Sequence, residues 1–210
     1  MKFDDDYIEN LKRKLPELPD MKLKRFLIEY KLGEEDIKLL IADKKNANYF
    51  EQVISEVDEK KEAGEIEADK IRVIKLAVNY FNTELRKYLF DRQEKISEIK
   101  ITPENYAELM GIVADGKINS SAAQTVLLEM YETGADPSQV IEEKNLAQVN
   151  DNDEIEKVVL AIIENNPQSV EDYKGGKENA LKFLMGQVMK ETKGKVNPQI
   201  AMEIIKKKIV

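Results

Sequence analysis

Four times along this chain a capping residue stands immediately before a proline: Thr102-Pro103, Asp136-Pro137, Asn166-Pro167 and Asn197-Pro198. Each pair is a helix start. The cap side chain accepts an orphan backbone N–H, and proline in the first helical position loses nothing by lacking its own. Stops are marked as clearly. Gly33, Gly116, Gly134 and Gly194 follow helical stretches, where glycine is expected in the left-handed closing position. Between the marks, apolar residues recur at three- and four-residue intervals. Tyr49, Phe50, Val53, Ile54 and Val57 form one stripe; Ile71, Ile74, Ala77 or Val78, Phe81, Leu85 and Leu89 form another, on a helix long enough to organise a bundle. Leu109 with Ile112 and Val113, then Val126 to Tyr131, then Ile155 to Ile163, continue the series. No stretch alternates strictly enough to read as a strand, so the predicted fold class is all-α.

The 210 residues suffice for one medium domain or two small ones. Two connections stand out. Asp58 to Glu67 is charged and poor in apolar residues, and Asn145 to Asp153 is polar and reads as a hinge. The second is the stronger boundary. It divides the chain into a helical bundle, 1–146, and a small tail of about three helices, 147–210.

Histidine and cysteine are both absent. Without cysteine there is no disulfide, no thiolate nucleophile and no cysteine zinc site. Without histidine the chain lacks the side chain best placed for proton transfer near neutral pH. Carboxylate chemistry remains open, but with 41 acids, chance carboxylate pairs carry no weight. No catalytic residue and no metal ligand is therefore assigned. No apolar run is long enough to cross a membrane, and the start, Met1-Lys2-Phe3-Asp4-Asp5-Asp6, is acidic where a signal peptide would be basic. The expected location is the cytoplasm.

The formal net charge is −8, but it is unevenly placed. From Asp172 to the end, nine lysines face four acids, a net +5 over 39 residues. Such a local field suits an anionic partner. On the helix predicted near Lys177–Thr192, Ala180, Leu181, Leu184 and Val188 share a core face; Lys182, Gly186, Met189, Lys190 and Lys193 fall opposite. Gly186 there costs about 1 kcal/mol relative to alanine. Three readings stand: close approach of a sugar–phosphate backbone, packing against another helix, or simple tolerance of the glycine. The flanking turns, Lys174-Gly175-Gly176-Lys177 and Lys193-Gly194-Lys195, either hold phosphates or simply link helices. Neither is a phosphate loop of the nucleotide-binding kind. With only Tyr173 and Phe183 nearby, contact to RNA would fall mainly on backbone and shape.

The run Asn166-Pro167 through Asp172-Tyr173-Lys174-Gly175-Gly176-Lys177 and Phe183-Leu184-Met185-Gly186-Gln187-Val188-Met189-Lys190, continuing into Thr192-Lys193-Gly194-Lys195-Val196-Asn197-Pro198, resembles the tail of the B subunit of the glutamyl/aspartyl-tRNA amidotransferases (GatB, YqeY-like region). Leu15-Pro16-Glu17-Leu18-Pro19-Asp20, Asp115-Gly116-Lys117-Ile118 and Glu132-Thr133-Gly134 extend the likeness over essentially the whole chain. The resemblance implies the helical and tail parts of that subunit without its N-terminal cradle. ATP and Mg²⁺ would belong to the cradle, and no cofactor is expected in this chain. It implies tRNA as partner, gripped at its outer corner near the D loop, with the amidase and small subunits joined through the full-length subunit. The residues expected at the RNA are Lys174, Gly175, Lys177, Gly186, Lys190, Lys193, Gly194 and Lys195. The alternative is a protein-interaction module in which the acidic bundle docks the cradle or a partner synthetase.

Overall fold

A computed structural model of the protein describes residues 17–147, 152–192 and 194–209. The helices are α1 (Pro19–Tyr30), α2 (Glu34–Ile41), α3 (Lys44–Glu62) and α4 (Lys70–Tyr80), which runs through a π turn (Phe81–Leu85) into α5 (Arg86–Arg92). Then come α6 (Pro103–Ala114), α7 (Ser120–Thr133), α8 (Pro137–Glu143), α9 (Asn152–Asn165), α10 (Pro167–Lys174), α11 (Glu178–Glu191) and α12 (Pro198–Ile209). Among the described residues there is no strand, and the fold is all-α. None of the described helices is long and apolar enough to cross a membrane.

All four capping prolines open a helix. Thr102 accepts from the Asn105 amide (3.1 Å), Asp136 from Gln139 (3.1 Å) and Asn197 from Gln199 (2.9 Å). Asn166 departs from the pattern. Its side chain instead donates to the Ile162 carbonyl of the preceding helix (2.8 Å), so it closes α9 rather than capping α10. Gly33 also departs: it lies in extended backbone before α2, and Lys31 takes the left-handed position closing α1. Gly116, Gly134 and Gly194 are left-handed as expected.

The α4–α5 stripe explains the π turn. Phe81, Leu85 and Leu89 are four residues apart, and four α-helical residues overshoot a full turn by about 40°. The wider turn resets the face, and all three are buried. The Thr83 hydroxyl, bonded to the Asn79 carbonyl (2.8 Å), fills part of the loosened ladder.

One hydrophobic cluster runs from Phe26 to Val140 and draws on α1–α8. Helices α3 and α6 make its most extensive helix pairing. Aromatic rings fill its centre. Tyr49 meets Tyr106 edge-on (6.2 Å between centroids) and Phe50 meets Phe81 the same way (6.1 Å). Tyr106 is fully buried, and its hydroxyl donates to the Ala77 carbonyl (2.9 Å), as a buried phenol requires. The Asp58–Glu67 connection does not divide this core. Ile66 is buried within it, and Asp115, one residue beyond α6, accepts from the amides of Glu67 (3.1 Å) and Ala68 (2.7 Å).

A second cluster gathers Ile155, Val159, Leu181, Leu184, Met185, Val188, Val196, Ala201, Ile205 and Ile209 from α9, α11, α12 and the connection between the last two. It shares no residue with the first and is wholly aliphatic apart from partly buried Tyr173. Of the polar stretch Asn145–Asp153, residues 148–151 lie outside the described residues.

Candidate nucleic-acid interface

Helix α11 carries the geometry of interest. Leu181, Leu184, Met185 and Val188 pin one side of it to the tail core. At about 100° per residue, the opposite direction passes among Asn179, Phe183, Gly186 and Lys190, with Lys182 at its edge. Lys182, Phe183, Gly186 and Lys190 are all exposed. Met189, expected on this face, is instead partly buried and packs on the core, because at about 100° per residue it falls about 40° from Met185, on the flank of the apolar side.

The surroundings of Gly186 exclude one of its three readings, helix packing, and leave close approach and simple tolerance open. A Cβ built there meets nothing within 4 Å, so no neighbouring helix packs against it. The space over it is open.

The flanking turns lie at opposite ends of this 14-residue helix, about 21 Å apart at 1.5 Å per residue. At its start, Lys174 ends α10 and is exposed, as are Gly175 and Lys177. The left-handed residue of that turn is Gly176 (φ 87°), not Gly175 (φ −75°). Lys177 is ion-paired to Asp172 (2.9 Å), so part of its charge is already answered, although its side chain is 70 % exposed. At the far end, Gly194 is left-handed, and its carbonyl accepts from the Asn119 side chain of the bundle. Asn119 also caps α7 through its other side-chain atom (2.8 Å to the Ala122 amide). Lys195 is half-buried beside a cavity of about 340 Å³ that it shares with Glu154 and Glu191. Lys193 lies outside the described residues.

The expected site residues thus form two ends and a middle rather than one cluster. The middle is the cleanest: among the described residues, only Lys177 and Lys208 of the tail's lysines enter ion pairs, with Asp172 and Glu156. Two features escape a reading of the sequence. Phe183 is 48 % exposed and absent from the tail core. The helical wheel could have found it, since it points within about 30° of directly away from the core stripe. The pairing of Asn119 with Gly194 has no sequence signal, because 75 residues separate the partners.

The profile of the GatB domain matches residues 48–209. Over 205 residues, 98 % of the chain, it is 42 % identical to a protein of Clostridium beijerinckii that is named as the B subunit of the aspartyl/glutamyl-tRNA(Asn/Gln) amidotransferase. Proteins of the same name from Thermotoga neapolitana and Caldicellulosiruptor bescii are each 41 % identical, over 97 % and 98 % of the chain. The chain covers 40 %, 39 % and 41 % of those three relatives respectively. With the profile spanning most of its length and all of its tail helices, this all-α chain belongs to the GatB domain family.

Proposed function

We propose that this chain is a non-catalytic, tRNA-holding region of an amidotransferase B subunit. In this reading the tail grips the outer corner of tRNA near the D loop, while the amide-forming chemistry, with its ATP and Mg²⁺, belongs to the rest of the protein. The amidase and small subunits join through that same remainder, and the assembly works in the cytoplasm. The observation that carries the reading is the outward side of α11: exposed Lys182 and Lys190 flank open space over Gly186, in a segment of net +5. A phosphate backbone can come close to such a helix because no Cβ stands in the way. Of the expected RNA-binding residues, Lys174 and Lys190 are the freest. Lys177 contributes after yielding Asp172, and Lys195 is the most recessed.

The test is a titration of the chain against tRNA at about 50 and about 200 mM salt, beside a tRNA with an altered D loop. Binding should weaken steeply with salt. Changing Lys174, Lys182 and Lys190 together to alanine should flatten the log–log slope by about 0.7–0.9 for each phosphate no longer neutralised. A flat titration at low salt overturns the reading.

A second reading applies to the bundle. Leu18, Met21 and Ile28 of the α1 region are each more than 60 % exposed. Leu18 also borders a groove of about 440 Å³ with Pro19, Ile41 and Ala47. Together with the acidic balance of residues 1–150, this favours protein docking there rather than RNA.

A further inference from the structure

Phe183 and Leu160 are the large apolar residues of the tail that stand exposed among the described residues, and Phe183 is the aromatic one. It lies outside the core, on the side of α11 that faces directly away from it, and half of its surface is open. The reason it is open lies one turn further on. Side chains on a helix lean toward the N-terminus, so each covers the turn before its own Cα. The residues placed to lie over the ring of Phe183 from the C-terminal side are therefore 186 and 187; Gln187 is half-buried, and residue 186 is glycine. At residue 186 the space is open: apart from the two chain neighbours, a Cβ there would meet no atom within 4 Å. On the N-terminal side the neighbour one turn back is Asn179, also exposed. Lys182 stands beside the ring around the helix, and Lys190 lies two turns further along the same outward half.

A half-exposed aromatic ring with two exposed lysines on the same side of its helix is the arrangement that binds single-stranded nucleic acid: cations hold phosphates while the ring stacks on a base. We propose that Phe183 is a stacking platform for one unpaired base of the bound RNA, with Gly186 keeping the approach open and Lys182 and Lys190 holding nearby phosphates. This rests on the tRNA-holding reading but adds to it, since a grip on backbone and shape alone has no use for the ring. The occupant is RNA rather than an apolar peptide because positive and polar groups surround the ring, with no second apolar side chain on that face to continue a groove.

The chain has no tryptophan, so Phe183→Trp places the one tryptophan, which can be excited apart from the tyrosines, at the proposed stacking position. Saturating tRNA should quench it and shield it from acrylamide, while affinity stays near that of the parent chain. Phe183→Ala and Phe183→Leu should both weaken binding about 5- to 150-fold, the range for one base stacked on an aromatic side chain. The salt slope should not change, because every phosphate stays neutralised. Gly186→Leu should weaken binding in the same way by covering the ring. Thermal melts followed by circular dichroism check that each variant is folded. If the parent chain binds with a steep salt slope but Phe183→Leu binds equally well, or the tryptophan is not quenched at saturation, the stacking site is wrong and the tRNA-holding reading survives. If the parent chain does not bind, both fall.

Discussion

Gly111 and Gly186 each sit in the middle of a helix, where glycine costs about 1 kcal/mol relative to alanine, and their surroundings are opposite. In the bundle, Gly111 is buried on α6. A Cβ there would lie 2.6 Å from two carbons of Ile66, so the glycine exists to let Ile66 in. One turn later Asp115 bonds the amides of Glu67 and Ala68, which locks the same connection down. In the tail, Gly186 is exposed and meets nothing. The bundle's glycine is explained within the fold. The tail's glycine has no such partner among the described residues, so no contact within the fold accounts for its cost. The contrast extends to the cores. The bundle closes around interlocked aromatic rings, whereas the tail closes around aliphatic side chains and leaves its one phenylalanine outside.

Three substitutions sharpen or break this comparison. The largest effect is expected from Asp115→Ala, which leaves the Glu67 and Ala68 amides without their acceptor and should cost about 1–3 kcal/mol in denaturant unfolding. The effect depends on pH. Burial alone would raise the Asp115 carboxyl, but the amides of Ala68 and Glu67 and the nearby Lys117 outweigh it and hold the group below its ordinary range. A carboxylate depressed in the folded state stabilises above its unfolded value, about 3.9, and loses that contribution as pH falls through the lower folded value. The gap between the parent chain and Asp115→Asn should therefore be widest near neutrality and narrow toward pH 3. A gap that is flat with pH would remove the charge from the account.

Next comes Gly111→Ala. Overpacking against Ile66 costs about 1–3 kcal/mol, partly offset by about 1 kcal/mol of helix propensity, so a net loss in melting temperature is expected. Adding Ile66→Ala should return the propensity gain. A stabilised single variant would show that Ile66 moves freely and that the bundle's glycine is no better explained than the tail's.

The smallest effect, and the one of opposite sign, is Gly186→Ala. With no neighbour to displace, it should stabilise the tail by up to about 1 kcal/mol, read as a higher melting temperature. If RNA closes on this face, the same change weakens tRNA binding while it strengthens the fold. A variant both more stable and equally good at binding would leave Gly186 without a role.

Much of the fold is legible along the chain because helix starts are written locally. Thr102 and Asp136 act on amides three residues away, and the fitness of a proline for the first helical position depends on nothing distant. The same locality fails where a side chain has two possible partners. Asn166 turns back to the Ile162 carbonyl, and Lys31 rather than Gly33 takes the left-handed turn, since both choices depend on how the next helix packs. The Asp58–Glu67 connection reads as a boundary because Ile66 stands alone among charges, and only the pocket made by Gly111 shows where it goes.

The candidate site divides the same way. Residue order alone carries the all-α class, the absence of histidine and cysteine, the basic end of the tail and the motifs that place the chain in its family. All of these depend on residue type and spacing, which need no coordinates. The packing of the helices is what leaves Gly186 facing open space and Phe183 half exposed, pairs Lys177 with Asp172 and holds Gly194 by Asn119 from across the chain. The physical reason is that exposure and pairing belong to the gaps between elements. A sequence specifies which face a residue takes, but what stands opposite that face is set by how the helices are brought together.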